Sequence, residues 1–318
     1  MCTTHYNYTQ WTKLTINTTD EAVDWVYTLL IDADYGGDIC IVPYTKCDNF
    51  SPWTFTIELH LGEDTRTYQH IDKISKLLIP LQHNGMIDEL EVLEVESRLI
   101  KKASIFQRRI CDRFLIVPAH QTHINSLPND IIIKMKPSLA FGSGFHPATI
   151  LSLQLLEKYV TPGMHALDMG CGSGILSIAL AKLGASVLAV DNDAIAVKTT
   201  KESVLLNNVD AQVIITEGSL GQGITLGHWM GRKIRNDIQV INNQQKFKLI
   251  VANIFARTHI TLVKDYQQAL VKNGILILSG FIDDYTPSII SAMEKQKFSL
   301  IGKEKICEWE SLAFILKV

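Results

Sequence analysis

The sequence predicts an α/β chain in two parts: a small ferredoxin-like α+β module, then a doubly wound, mostly parallel Rossmann-like sheet. Three observations carry this. Residues 1–96 alternate short strands and helices in the order βαββαβ, the split arrangement of the small module. From about residue 130 strands alternate with longer helices, as a parallel sheet requires. Residues 166–185, ALDMGCGSGILSIALAKLGA, pass from apolar strand through a glycine-rich turn into an apolar helix.

In chain order, WTKLTINT (11–18) alternates with period two and reads as a strand. DEAVDWVYTLLIDA (20–33) follows, with Val23, Val26, Tyr27 and Leu30 at helical spacing and Asp20 placed to cap it. GDICIVPY and WTFTIELHL read as strands, YQHIDKISKLLIPLQ as a helix, and IDELEVLEVE (87–96) as an alternating strand. Residues 97–128, with Lys101, Lys102, Arg108, Arg109 and Arg113, read as a linker whose charge lies on a solvated helix face, with no direct nucleic-acid site. The second domain is expected over 129–318. Its strands are MHALDM, SVLAVD, AQVIIT, KLIVANI and GILILSG; its helices include DAIAVKTTKESVLLNN and HITLVKDYQQALV. FSLIGKEKICEWESLAFILKV reads as two tightly joined antiparallel strands. Residues 221–247 are long and polar for a connection inside a compact sheet and read as an insertion.

Bulk properties narrow the function classes. A chain of 318 residues, 47% hydrophobic and 20% charged, can bury real cores in two domains. Its formal net charge of −3 steers it to neither nucleic acid nor an anionic membrane. No apolar run approaches the ~20 residues that cross a bilayer. The polar start MCTTHYNYTQW argues against export. Six cysteines without a C-x-x-C pair fit a reducing cytoplasm. His120 and His123 come nearest to ligand spacing but lack acidic or cysteine partners, so no metal is expected.

The glycine turn carries the chemistry. Gly170, Gly172 and Gly174 follow an apolar strand and precede a helix, where open α/β sheets bind ligands. Ile175 stands where a dinucleotide fingerprint places its third glycine. Asp168 would repel a diphosphate, whereas a methionine moiety with its ammonium and sulfonium suits it. The next strand ends VLAVDND, placing Asp191 at the adjoining carboxyl edge to accept ribose hydroxyls, with Asp193 the better helix cap. These features favour S-adenosylmethionine over a dinucleotide.

KPSLAFGSGFHPATILSLQLLEKY (136–159), LDMGCGSGILSIALAKLGA, VANIFA (251–256) and EWESLAFILKV together resemble the methyltransferase family that modifies the large-subunit ribosomal protein eleven. The resemblance implies a seven-stranded methyltransferase sheet behind a ferredoxin-like domain, and S-adenosylmethionine as cofactor. It implies that lysine and N-terminal amines of a ribosomal protein, free or on the ribosome, receive the methyl groups. By the same resemblance Thr149, Gly170, Asp191 and Asn253 are cofactor positions, and Asn253 with the carbonyl after it also aims the amine. The family's AFGTGTHPTT stands here as Ala140-Phe141-Gly142-Ser143-Gly144-Phe145-His146-Pro147-Ala148-Thr149. Phe145 therefore replaces a small polar residue, and it is expected with His146 along the substrate channel. The family's tryptophan-rich linker is not visible at 97–118. Residues 1–96, lacking any cofactor motif, are expected to recognise the substrate. Alternatives are a methyltransferase of the same fold acting on another protein or a small molecule, and a non-catalytic ribosome-binding module.

Overall fold

A computed structural model describes residues 10–32, 35, 39–44, 51–62, 67–96, 107–119, 124–136, 144–221, 240–241 and 246–317. The chain divides into two units, residues 1–106 with 137–139, and 107–136 with 140–318.

The first unit runs β1 (Gln10–Thr18), α1 (Ala22–Asp32), β2 (Ile39–Pro43), β3 (Phe55–Gly62), α2 (Thr67–His83) and β4 (Glu91–Glu96). Its sheet has the order β2-β3-β1-β4 with every neighbour antiparallel. Leu14 and Ile16 of β1 and Ile57 and Leu59 of β3 point to one face and are fully buried. Val23, Val26 and Leu30 of α1 are buried as well, the stripe that the helical period sets. At the start of α1 the Thr19 hydroxyl accepts from the Ala22 N–H at 3.4 Å, one residue ahead of Asp20.

The second unit opens with β5 (Arg108–Ile110), β6 (Phe114–Pro118) and β7 (Ile131–Met135). β5 lies antiparallel to β6, and β6 parallel to β7. This corrects the reading of 97–128 as a linker with a helical charged face. FLIVP is a continuous apolar run without helical period, and burying Phe114, Leu115, Ile116 and Val117 as a strand removes all four from water. Lys101, Lys102, His120 and His123 lie outside the described residues.

There follow α3 (Pro147–Tyr159), β8 (His165–Met169), α4 (Ile175–Lys182), β9 (Ser186–Asp191), α5 (Ala194–Leu206), β10 (Val213–Glu217), β11 (Ser219–Leu220), β12 (Val240–Ile241) and β13 (Phe247–Asn253). The chain ends with α6 (Ala256–Thr261), α7 (Val263–Ala269), β14 (Leu270–Ile282), α8 (Thr286–Glu294), β15 (Phe298–Ile306) and β16 (Trp309–Leu316). Seven strands form one sheet in the order β10-β9-β8-β13-β14-β16-β15, with β16 antiparallel to both neighbours. The segment HITLVKDYQQALV, read as one helix, is broken at the fully buried Leu262 into α6 and α7. Ser219–Leu220, just ahead of the insertion, pairs in parallel with Val240–Ile241 inside it.

Both faces of the sheet are covered. Ala166, Val187, Ala189, Leu249 and Val251 pack with α3 and α4 on one face; Leu167, Met169, Val190, Ile250 and Ala252 fill the other. Strands buried on both faces read as continuous apolar runs, as these do. The strand order reverses between β8 and β13, which opens a crevice at their carboxyl ends.

Candidate active site

β8 ends at Met169, and residues 170–174 turn the chain into α4. Gly174 caps that helix with φ +85°, and a Cβ there would press to 3.1 Å from the Thr200 side chain. The Gly170 and Cys171 N–H groups both donate to the Val190 carbonyl, at 2.8 and 3.0 Å. Asp191 braces the turn from the next strand: its carboxylate accepts from the Gly172 N–H at 2.9 Å and the Asp193 N–H at 3.0 Å. A carboxylate has about four acceptor positions, so bracing the turn is compatible with receiving ribose hydroxyls. Asp193 caps α5, its side chain accepting from the Ile195 N–H at 3.0 Å.

Asp168, the fourth residue of β8, is fully buried against Ser177 of α4. One oxygen accepts from the Ser177 hydroxyl at 2.5 Å; the other finds no hydrogen-bond partner among the described residues. Burial, reinforced by the charge of Asp191, pushes its pKa up to about 7 against the Ser177 hydrogen bond.

α3 brings a second group to the crevice. His146 caps the helix, its Nδ1 accepting from the Ala148 N–H at 3.1 Å, so the ring proton sits on Nε2. Burial holds its pKa down at about 3, and its ring meets Trp309 edge-on at 4.4 Å. Pro147 occupies the first turn, where its missing N–H costs nothing. Thr149 is fully buried and accepts at Oγ1 from the Asn253 side-chain amide at 3.3 Å, joining positions 104 apart in sequence. The Asn253 Oδ1 is buried and has no partner among the described residues. Phe145 is half-buried under the Arg108 guanidinium, 5.3 Å from its ring centroid, and Arg108 also donates to the Phe145 carbonyl at 3.3 Å. Of the two expected channel residues, Phe145 thus packs against β5, and His146 reaches the cleft wall through Trp309.

Beyond Asn253 opens a cleft of about 500 Å³, its walls including Phe255, Arg257, Gly280, Tyr285 and Trp309. Phe255 and Tyr285 are aromatic yet 52% and 40% exposed. Sequence reasoning missed this cleft, since its walls come from three separated segments that only the sheet brings together. Phe255 directly after VANI was the one local signal.

The residues present fit S-adenosylmethionine. Two buried oxygens, on Asp168 and Asn253, await donors that a ligand's ammonium and amine groups supply. Gly170 and Gly172 of the turn are partly exposed at the strand-order reversal, where a ligand of an open α/β sheet passes close to the chain. Fold and site together define an S-adenosylmethionine-dependent methyltransferase. The family described as Ribosomal protein L11 methyltransferase (PrmA) matches residues 10–317, and the chain belongs to that family. A ribosomal protein L11 methyltransferase of Chloroflexus aurantiacus is 34% identical over 320 residues, covering 96% of this chain and 97% of its own. One from Herpetosiphon aurantiacus is 33% identical over 311 residues, 93% of this chain and 94% of its own. The crystal structure of ribosomal protein L11 methylase from Lactobacillus delbrueckii subsp. bulgaricus is similar with a TM-score of 0.57. It is 29% identical and covers 67% of this chain and 99% of that one.

Proposed function

We propose that this enzyme methylates lysine and N-terminal amines of ribosomal protein L11, in the cytoplasm, with the substrate free or on the ribosome. The observation that carries the reading is Asn253: a buried, unpartnered side-chain oxygen at the carboxyl end of β13, tied to Thr149 and adjoining an aromatic-walled cleft. Asp168, Gly170, Gly172, Gly174, Asp191, Thr149 and Asn253 hold the cofactor. When bound, S-adenosylmethionine supplies an electrophilic methyl group on a sulfonium. The protein's own task is to orient and desolvate the amine, which matters because aligned reactants at ~3–3.5 Å recover much of the barrier. An ammonium has no lone pair, so the amine must first lose a proton. Aromatic walls favour the neutral amine by withholding water. Asn253 Oδ1 and the Ile254 carbonyl accept its remaining N–H groups and aim the lone pair. Burial lowers the pKa of His146 to about 3 and of His259 to about 4, and the acceptor nitrogen of each already receives a hydrogen bond, so neither serves as the base and water carries the proton away. Residues 1–96 select the substrate, with no membrane and no direct nucleic-acid site taking part; among the described residues no helix is long and apolar enough to cross a membrane.

Incubating the protein with labelled S-adenosylmethionine and total ribosomal proteins tests this reading. Label is expected in L11. Label confined to another protein, or none at all with the cofactor demonstrably bound, would overturn it.

A further inference from the structure

His259 is fully buried, caps no helix, and meets the cleft-lining Phe281 edge-on at 5.7 Å between ring centroids. It sits on α6, directly behind the Asn253-Ile254 turn. Its Nε2 lies 2.8 Å from the Ser279 carbonyl and its Nδ1 3.4 Å from the Tyr266 hydroxyl. A carbonyl can only accept, so Nε2 carries the proton and Nδ1 receives the tyrosine O–H. Burial holds the ring neutral, with a pKa of about 4, although hydrogen bonds to the Ser279 and Ile254 backbones pull the other way.

Ser279 is a junction. It is the register partner of Asn253 in the β13–β14 pair. Its carbonyl accepts twice, from the His259 ring and from the Ile254 N–H at 3.1 Å. Its hydroxyl donates to the Ala148 carbonyl at 2.8 Å, in the first turn of α3 beside Thr149. The following residue, Gly280 at φ +90°, lets the chain close: a Cβ there would lie 2.5 Å from the Ile254 oxygen and 2.9 Å from Asn253 Oδ1. Two backbone strands and a helix start therefore meet at one residue, the strands through its carbonyl and the helix start through its hydroxyl. The His259 ring supplies its second donor.

We propose that His259 is a positioning residue for methyl transfer: through the Ser279 carbonyl its Nε2–H fixes the Asn253-Ile254 turn whose two oxygens receive the acceptor amine. The proposal rests on the role given to Asn253 above. Placement at this turn matters steeply, because displacement of a reacting group by about 1 Å can cost ~100-fold in rate.

The decisive pair is His259→Gln against His259→Asn. Glutamine places an amide N–H where Nε2 stands, whereas asparagine reaches only the Nδ1 position, and both are polar and neutral. With L11 as acceptor, kcat should hold within about threefold in His259→Gln and fall about 10–100-fold in His259→Asn. The cofactor Kd should hold within about threefold in His259→Gln and rise by less than kcat falls in His259→Asn, since only Asn253 and its partner Thr149 among the cofactor residues are disturbed and the glycine turn with Asp191 is not. Equal kcat in the two folded variants would overturn the proposal. A second readout needs no turnover: the Asn253 side-chain amide resonance should shift in His259→Asn and keep its wild-type position in His259→Gln. An unshifted resonance in His259→Asn overturns the positioning role whatever the acceptor proves to be. Wild-type protein that leaves L11 unmodified would overturn the substrate reading alone, and the resonance would still decide the role of the ring.

Discussion

Asp168 is a carboxyl group with one hydrogen bond from Ser177 and a pKa of about 7 in the fold. In the unfolded chain it titrates at its ordinary value of 3.8. Between those values the native state keeps a proton that the unfolded state has released, so stability falls as pH rises through the window. The loss, on the order of 4 kcal/mol, is complete above the folded pKa. Denaturant unfolding of Asp168→Asn should show this slope flattened between about pH 4 and pH 7 relative to wild type; parallel slopes would place the titration elsewhere. Asp191 differs, because its carboxylate already braces the glycine turn. Replacing it by alanine should weaken cofactor binding by roughly 1.5–3 kcal/mol and lower stability by about 1 kcal/mol for each backbone N–H left without its acceptor. Calorimetric affinity unchanged in a folded Asp191→Ala protein would remove the ribose role while leaving the turn-bracing one.

At the scale of elements, α3 explains how a segment outside the glycine turn enters the site. Its start is held three ways: by the His146 ring on the Ala148 N–H, by Ser279 on the Ala148 carbonyl, and by Arg108 on the Phe145 carbonyl. Thr149 in that first turn then meets Asn253. His146→Ala should cost about 0.5–2 kcal/mol for the lost cap, plus the packing against Trp309. His146→Asn should recover most of the cap but not the ring contact. Equal stability of wild type and His146→Ala by denaturation would show that the cap contributes nothing. The alternation of α/β elements, the glycine turn and the strand-edge acids were legible because each is written within some twenty residues. β5 and β6 were not, because Arg108 and Arg109 flank the apolar run and their charge dominated the reading.

For the whole molecule, the proposed division of labour between the two units rests on where the proposed site residues lie. Residues 1–96 carry an antiparallel four-stranded sheet with its own buried core and none of the proposed site residues; every proposed cofactor position lies after residue 140. Deleting residues 1–96 should leave S-adenosylmethionine affinity within about tenfold, or ~1.4 kcal/mol. Methylation of L11 should collapse in the same protein. Full kcat/KM on L11 after the deletion would move recognition to the second unit, whose 221–247 insertion carries Trp229, Arg232, Lys233 and Arg235.

By itself the sequence determined the two-part α/β architecture, the cofactor class and the strand-edge acids. These depend on hydrophobic period and on glycine conformation, which neighbouring residues impose on one another. Tertiary structure decided what each of those groups touches. The Thr149–Asn253 bond, the Ser279 junction beneath His259 and the walls of the cleft join residues 20 to 131 positions apart. Such contacts are set by strand order and register, and no local pattern encodes them, because pairing β8 with β13 rather than with another apolar strand is chosen only when both faces of the sheet are buried together.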